Sequence, residues 1–250
     1  FAMQDVWTLN PQFLSQVKNF ITYVPIDKDP APMQVLDKLQ YAYRIITFSQ
    51  FGHDTLARSG YASKLILEGT DTSIFKPQDK QEMRKKYGLD PQAFIFGMIA
   101  ANKENPPRKG WQEALEAFAL FYKKHPEALL FTSVQQMSPT GFPILEYARA
   151  LEVAHRLVFV DGYTAVYDGD SYRMAELMNA FDVLLHPSQT EGFGLTVIEA
   201  ASTGTPSIVT NTTSQPEMVV EDKTGWIAKT GQKRFTADQS YVWAADPQSV

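Results

Sequence analysis

One stretch decides the fold of this chain: Ser188-Gln-Thr-Glu-Gly-Phe-Gly-Leu-Thr-Val-Ile-Glu-Ala-Ala-Ser-Thr-Gly-Thr-Pro206. The run Asp182–His186 before it is apolar and of strand length, and Leu195–Ser202 has the apolar spacing of a helix. The stretch therefore predicts a strand-to-helix junction at the carboxyl end of a parallel strand. Open α/β sheets bind ligands there, because a helix N-terminus offers free N–H groups to an anion. Gly192 and Gly194 lack a Cβ, so a phosphate or sugar can approach their backbone closely.

Two carboxylates belong to this junction. Glu191 is placed in the loop, and Glu199 lies about two turns up the helix, roughly 80° around its axis. Both can face one cleft if the helix start points into it. Ser188 and Glu191 also fit a capping box, in which they only satisfy helix-end donors. We prefer a ligand site, because the glycines after Glu191 make a poor first helical turn.

The motif Glu191-Gly-Phe-Gly-Leu-Thr-Val-Ile-Glu199 resembles the Glu-x7-Glu motif of retaining, nucleotide-sugar-dependent glycosyltransferases of family 4. Those enzymes have the GT-B fold, an α/β architecture of two Rossmann-like parallel-sheet domains. Further matching positions flank the motif: Pro187-Ser188, Ala200, Gly204, Thr205-Pro206 and Pro216-Glu217. The resemblance implies that the chain carries the donor-binding domain of such an enzyme.

The resemblance also implies roles for the motif. Glu199 is expected to accept hydrogen bonds from the ribose hydroxyls, and Glu191 to lie beside the donor sugar as a catalytic residue. Whether Glu191 supports a developing cation or acts otherwise stays open. The remaining donor-binding residues implied here are Ser188, Gly192, Phe193, Gly194, Leu195 and Thr196.

A second candidate element is the basic loop Asn102–Trp111, which follows an apolar strand and holds two prolines. Cations in a stiffened loop suit a diphosphate, because little conformational entropy is left to lose on binding. The alternative is a solvated surface loop. In the resembling family an Arg and a Lys, the latter before Gly, neutralise the donor diphosphate. Lys109 matches the second of these positions. Lys103 stands near the first, where the family has Arg, and Arg108 is a candidate to take over the role of that Arg.

Alternating strand and helix patterns precede this loop. Strands are expected over Phe20–Pro25, Arg44–Phe48 and Lys64–Leu67, with helices over Met33–Tyr43 and from the cap Ser49 to Arg58. By resemblance, residues 1–77 are the end of an N-terminal, acceptor-side domain, and residues 78–250 are the donor-binding domain, incomplete at its end.

Two polar residues of this first part stand out. Glu68 departs from the His or Asn that many relatives have before the glycine, so its role stays open. His53 at a helix start is a weak candidate base, because such a residue is more often a cap or a surface group.

The second part continues the α/β pattern. A helix is expected after the cap Asp79, and a turn after the strand Leu157–Val160 places Gly162 and Tyr163 near the nucleobase by resemblance. The remaining strands are expected over Phe94–Ala101, Ala128–Ser133 and Ser207–Thr210, with Gly225–Ala228 as the last strand.

Composition limits the possible functions. The chain has 44% hydrophobic and 20% charged residues and a net charge of −5, which argues against a nucleic-acid binder. With no Cys, it cannot form disulfides or thiolate metal sites, which fits a reducing, cytoplasmic compartment. No run predicts a membrane span, which leaves contact with a membrane surface open. The first residue is Phe1 and not Met, so we read the sequence as a fragment.

The resulting hypothesis is a retaining glycosyltransferase that moves a sugar from a nucleotide-diphosphate-sugar donor, such as a UDP- or GDP-sugar, to a sugar, lipid or other small acceptor. The resemblance implies that it needs no cofactor and no metal. The nearest case of an Asp-x-Asp pair, Asp168-Gly-Asp170, lies in a polar loop and is a poor metal site. The alternative is a nucleotide-sugar or carbohydrate binding protein without turnover. An NAD-dependent oxidoreductase is disfavoured, because no Gly-x-Gly-x-x-Gly follows the first strand.

Overall fold

The computed structural model describes residues 2–3, 6–133, 139–160 and 170–250. In these ranges the chain forms two parallel β-sheets, whose strands are connected largely through helices, and an antiparallel hairpin. This is the α/β architecture that the alternating strand and helix patterns predict.

The first sheet has four strands in the order β1-β2-β3-β4. Its core is apolar, and α3 begins where predicted, since the Ser49 hydroxyl accepts from the Gly52 N–H at 3.1 Å. α2 ends at Leu39, before the expected Tyr43. The elements are β1 (Ala2–Met3), α1 (Pro11–Leu14), β2 (Ile21–Tyr23), α2 (Met33–Leu39), β3 (Arg44–Thr47), α3 (Gln50–Arg58) and β4 (Lys64–Leu65), with a 3-10 turn at Val6–Thr8.

The second sheet has six strands in the order β10-β9-β8-β5-β6-β7. Its strands are β5 (Ile95–Ile99), β6 (Leu129–Ser133), β7 (Leu157–Val160), β8 (Val183–His186), β9 (Ser207–Thr210) and β10 (Gly225–Ala228). The helices are α4 (Lys80–Lys86), α5 (Trp111–Tyr122), α6 (Ile144–Ala150), α7 (Ser171–Ala180) and α8 (Leu195–Thr203), with 3-10 turns at Ala154–Arg156 and Gln215–Met218.

The order of the second sheet determines where a ligand can bind. From β5 the chain builds outward through β6 and β7, then returns to build the other side from β8. The strand order therefore reverses between β5 and β8. A crevice opens at such a point beyond the carboxyl ends of the strands, and here it lies between the loops after β5 and β8.

β5 is the packed centre of this sheet. All five of its residues are buried, and apolar clusters cover both faces. A Cβ on Gly97 would lie 2.0 Å from the Phe181 ring, so only glycine lets that ring pack on the strand. The Arg84 guanidinium of α4 pairs with Asp182 at 2.5 Å and so holds the helix at the amino end of the central strand β8.

The hairpin corrects one sequence prediction. We expected Gly225–Ala228 to be the last strand, but β11 (Thr230–Phe235) and β12 (Tyr241–Ala245) follow it and pair antiparallel. β11 was missed because its sequence, Thr-Gly-Gln-Lys-Arg-Phe, is polar and mostly exposed. Its strand character comes from pairing with β12 and not from an apolar face.

Among the described residues, the parts that carry the two sheets also touch away from the loops of the cleft. The Glu217 carboxylate accepts from the backbone N–H groups of Gln50 and Phe51, both at 2.7 Å, at the start of α3. The hairpin tip contacts the segment after β2, where the Ser240 hydroxyl donates to the Pro30 carbonyl at 2.8 Å. A domain boundary at residue 77 stays a prediction.

Among the described residues, no helix combines the length and apolar character that crossing a bilayer requires.

Candidate functional site

The junction between β8 and α8 needs both of its glycines. Gly194 is the N-cap of α8 with φ at 113°, a left-handed conformation that side chains rarely adopt. At Gly192 a Cβ would lie 2.8 Å from the Pro25 Cβ and 3.0 Å from the Phe48 ring. Since α8 begins at Leu195, Ser188 does not cap it, and the capping alternative is excluded.

The basic loop after β5 docks on this junction. Gly110, with φ at 74°, caps α5, and a Cβ there would lie 2.0 Å from the Pro187 carbonyl oxygen. Arg108 is held on both sides: its carbonyl accepts from the Gln189 N–H, and its guanidinium donates to the Thr190 carbonyl, each at 2.8 Å. These contacts exclude a merely solvated surface loop.

Lys109, Glu191 and His186 meet in a largely buried polar group at the centre of the junction. The Lys109 ammonium pairs with Glu191 Oε1, and their side chains are 19% and 12% exposed. His186 Nε2, on a side chain only 4% exposed, lies 3.2 Å from the same oxygen, without the alignment of a regular hydrogen bond. The loop after β5 and the end of β8 thus bring Lys109 and His186 to one carboxylate.

These neighbours decide the ionisation of Glu191. Burial alone would raise the pKa of Glu191, but the charge of Lys109, with smaller contributions from His186 and Arg108, outweighs it. The pKa of Glu191 is therefore held well below its usual range, and the carboxylate is ionised at neutral pH.

The segment after β9 supports the junction from behind. The Ser214 hydroxyl lies 2.8 Å and 2.9 Å from the carbonyl oxygens of Glu191 and Phe193. The Gln215 amide donates to the Ser188 carbonyl at 2.9 Å. Ser214 and Gln215 thus hold the loop by side-chain hydrogen bonds.

Glu199 has a different environment from Glu191. It lies on α8 one turn after Leu195 and Thr196, on the same side of the helix. Burial raises the pKa of Glu199 to about 7. No hydrogen bond or ion pair reaches its carboxylate from the described part of the chain, so the group can bond a ligand.

A cleft of about 930 Å³ lies in front of the junction. It brings together most of the residues singled out from the sequence: Lys103, Arg108, Lys109, Glu191, Gly192, Phe193, Gly194, Leu195 and Thr196. Ser188 is fully buried, and neither Ser188 nor Glu199 is among the described lining residues. Gly162 and Tyr163 lie outside the described residues.

The weaker candidates fall elsewhere. His53 lies on α3, and its ring nitrogen Nδ1 is 2.9 Å from the Ser63 hydroxyl; it is not among the described lining residues. Asp168 lies outside the described residues, and Asp170 caps α7 by accepting from the Arg173 N–H at 3.0 Å. In the described ranges, no three His, Cys, Asp or Glu side chains are grouped as a metal site would require.

The structure adds lining residues that sequence reasoning missed. His186 could have been noticed as a histidine at the carboxyl end of a buried strand. Asp27, Lys28 and Asp238 also line the cleft, together with Glu68, which the sequence had only flagged. Their sequence neighbourhoods give no signal for a site, because each reaches the cleft only through the packing of the hairpin and the first sheet.

The architecture defines the class: an α/β protein with a cleft at a topological switch point, lined by cations and carboxylates. Residues 147–246 match the family model described as glycosyl transferases group 1. Over that range the chain is similar to group 1 glycosyltransferases, and its described part has an α/β fold of the GT-B type.

Two curated proteins are similar to this chain over part of their length. N-acetyl-alpha-D-glucosaminyl L-malate synthase of Bacillus anthracis is 26% identical over 71% of this chain and 43% of its own length. D-inositol 3-phosphate glycosyltransferase 2 of Catenulispora acidiphila is 29% identical over 63% of this chain and 36% of its own length. The chain thus spans less than half the length of these two curated relatives.

Solved structures show the same fold. Sucrose-phosphate synthase from Thermosynechococcus elongatus superposes with a TM-score of 0.71 and 21% identity, covering 87% of this chain and 57% of that one. Anabaena Alr3699/HepE in complex with UDP-glucose gives a TM-score of 0.62 and 20% identity, covering 80% of this chain and 53% of that one.

Proposed function

We propose that this chain takes part in retaining glycosyl transfer, moving a sugar from a nucleotide-diphosphate-sugar donor to an acceptor. The observation that carries the proposal is the charged group at the switch point, where Lys109, Glu191 and His186 meet beside the start of α8. Two further observations support it: the glycosyl transferases group 1 match, and a structural neighbour in complex with UDP-glucose.

In this proposal the protein's cations stabilise the leaving group. The bond between the anomeric carbon and the diphosphate oxygen breaks, and its electron pair stays on the diphosphate. Lys109, Arg108 and Lys103 line the cleft where that charge would develop, together with the N–H groups at the start of α8. Preorganised charge of this kind is commonly the largest contribution to catalysis, and removing one donor costs about 2.7–4 kcal/mol.

The two motif carboxylates have separate roles. Glu199, free of protein partners among the described residues, accepts from the ribose hydroxyls of the nucleotide. Glu191 stays ionised beside the sugar and supports its positive charge as the bond breaks. The acceptor oxygen attacks the face that the diphosphate leaves, its proton passes to the departing phosphate oxygen, and the anomeric configuration is retained.

The proposal includes independence from metal ions, because the three basic side chains can take the neutralising part that a cation would otherwise take. A cytoplasmic location also remains part of it.

Calorimetric titration with UDP, GDP and ADP, each with and without magnesium, tests the donor site. We expect one nucleotide to bind with micromolar affinity that does not depend on magnesium. Glu199→Ala should weaken that binding several-fold, and Lys109→Ala about tenfold or more, since each loses a hydrogen bond to the ligand. Lys18→Ala, an exposed lysine outside the cleft lining, is the matched control.

The release of free nucleotide from the matching nucleotide sugar then tests transfer. Lys109→Ala should slow the release by on the order of a hundredfold. Nucleotide binding without release from the sugar would favour the alternative, a binding protein without turnover. Failure of all three nucleotides to bind, or equal affinity in Glu199→Ala, would contradict the donor-site assignment.

A further inference from the structure

The two walls of the cleft differ in charge. The wall from the second sheet carries three cations, Lys103, Arg108 and Lys109, beside the two carboxylates of Glu104 and Glu191. The opposite wall comes from the segments after β2 and β4 and from the hairpin tip. Among the described lining residues of that wall, the carboxyl groups of Asp27, Glu68 and Asp238 accompany one cation, Lys28.

The hairpin tip is fixed in its place on this opposite wall. Within the tip, the Thr236 hydroxyl lies 3.0 Å from the Ser240 carbonyl and 2.5 Å from Asp238 Oδ1. The tip is fastened outward by the Ser240 hydroxyl, which donates to the Pro30 carbonyl, and by a β-bridge between Asp29 and Tyr241. A residue carried on this tip therefore has a defined position in the cleft.

That residue is Asp238, whose Oδ2 lies 2.5 Å from the Lys28 Nζ. The two side chains are 18% and 20% exposed, so the pair is partly buried yet open to the cleft. Burial would raise the pKa of Asp238, but hydrogen bonds from Lys28 and Thr236 outweigh it and lower the pKa. Asp238 thus compensates the positive charge of Lys28.

We propose that the Lys28–Asp238 pair, with Asp27 beside it, determines acceptor specificity and favours an uncharged, polyhydroxylated acceptor over a phosphorylated one. The inference rests on the proposed function and adds the class of its acceptor. The pair joins the segment after β2 to the hairpin, so both parts of the chain contribute to the specificity.

The charge balance of this wall gives the reason. A hydroxyl group can donate to the carboxylates and accept from the ammonium without disturbing the ion pair. A phosphate group has only acceptor oxygens when ionised. It would have to break the pair to reach Lys28, and it would then face Asp27 and Asp238, and like charges repel.

Binding of neutral and anionic probes, with the donor site saturated by nucleotide, tests this inference. The neutral probes are methyl α-D-glucopyranoside, methyl α-D-mannopyranoside and myo-inositol. Their anionic counterparts are glucose 6-phosphate, mannose 6-phosphate and myo-inositol 1-phosphate. Saturation keeps phosphate probes away from Lys109. Dissociation constants are measured by ligand-observed NMR, and we expect at least one neutral probe to bind about tenfold or more tightly than its phosphate.

Substitutions of the pair should change this preference in opposite directions. The quantity compared is the ratio of the dissociation constant of the phosphate probe to that of its neutral counterpart. Asp238→Asn removes a negative charge and should lower this ratio by on the order of tenfold, whereas Lys28→Gln should raise it. If the ion pair had only a structural role, each substitution would weaken the binding of neutral and anionic probes in parallel. Asp37→Asn, an equal change of charge on an exposed residue of α2 outside the cleft lining, should leave the ratio unchanged.

Three results would overturn the inference: tighter binding of the phosphates than of the neutral probes, parallel effects of the two substitutions on both kinds of probe, or binding of no probe to the nucleotide-saturated chain. None of these results would affect the donor site. Absence of nucleotide binding in the same samples would instead count against the proposed function.

Discussion

Replacing Lys109 with Met should destabilise the chain, because the change leaves the buried Glu191 carboxylate without its principal cation. Removing one partner of a buried ion pair typically costs about 3–5 kcal/mol. Since the Lys109 side chain is still 19% exposed, we expect the lower end of that range, about 3 kcal/mol. For a chain of this size, that corresponds to a decrease in Tm of about 6–12 °C.

Thermal unfolding followed by circular dichroism, at pH 7.5 and pH 5, measures this effect. The folded-state pKa of Glu191 is lowered, so its ion pair contributes stability above the usual carboxyl pKa and loses it as the pH falls through the folded-state value. In Lys109→Met the pKa of Glu191 rises, and protonation removes the unpaired charge in acid. The difference in Tm between the variant and the wild type should therefore narrow at pH 5.

A double-mutant cycle separates the pair from general packing. Lys109→Met combined with Glu191→Gln should recover much of the stability, because no charge is left buried and unpaired. The matched control is Lys86→Met, since Lys86 pairs with Glu176 at 2.6 Å but is 53% exposed, and it should cost less than about 1 kcal/mol. A loss below about 1 kcal/mol for Lys109→Met, or a difference that widens in acid, would refute this reasoning.

Two further predictions concern other parts of the site. Glu199→Gln should raise the free energy of unfolding at pH 8 by about 1–2 kcal/mol after allowance for partial exposure. The reason is that burial raises the pKa of Glu199 to about 7, so at pH 8 the folded protein carries an unfavourable buried charge. An unchanged urea midpoint at pH 8 would contradict this. Gly110→Ala should displace the basic loop, because its Cβ would lie 2.0 Å from the Pro187 carbonyl oxygen. Calorimetry should then show nucleotide binding weakened about tenfold or more, which is the effect of losing one hydrogen bond to a charged group. Gly60→Ala is the matched control: Gly60 also has a positive φ, of 84°, but a Cβ there meets nothing within 4 Å, so the affinity should be unchanged.

Local patterns were enough to predict the centre of the fold. The apolar run before Ser188 and the helical spacing after Gly194 predicted β8 and α8. Both signals depend on neighbours within a few residues along the chain. The glycine positions also indicated a close approach, although not that Pro25 is the group approaching Gly192.

Features that depend on distant parts of the chain could not be predicted. The side chain of Asp27 reaches the cleft through tertiary packing, and β11 is a polar strand that forms only against its partner. The sequence suggested a donor site but gave no information about the opposite wall, because Lys28 and Asp238 are 210 positions apart.

The contact of Glu217 with α3 has a consequence for the order of folding. The first amides of that helix are bonded by a carboxylate that lies 167 and 166 positions later in the chain. During synthesis the first sheet can form early, but this end of α3 must wait for its acceptor until the residues after β9 have been made. Protection of the Gln50 and Phe51 amides against hydrogen exchange should therefore appear only once the segment after β9 has docked on the first sheet.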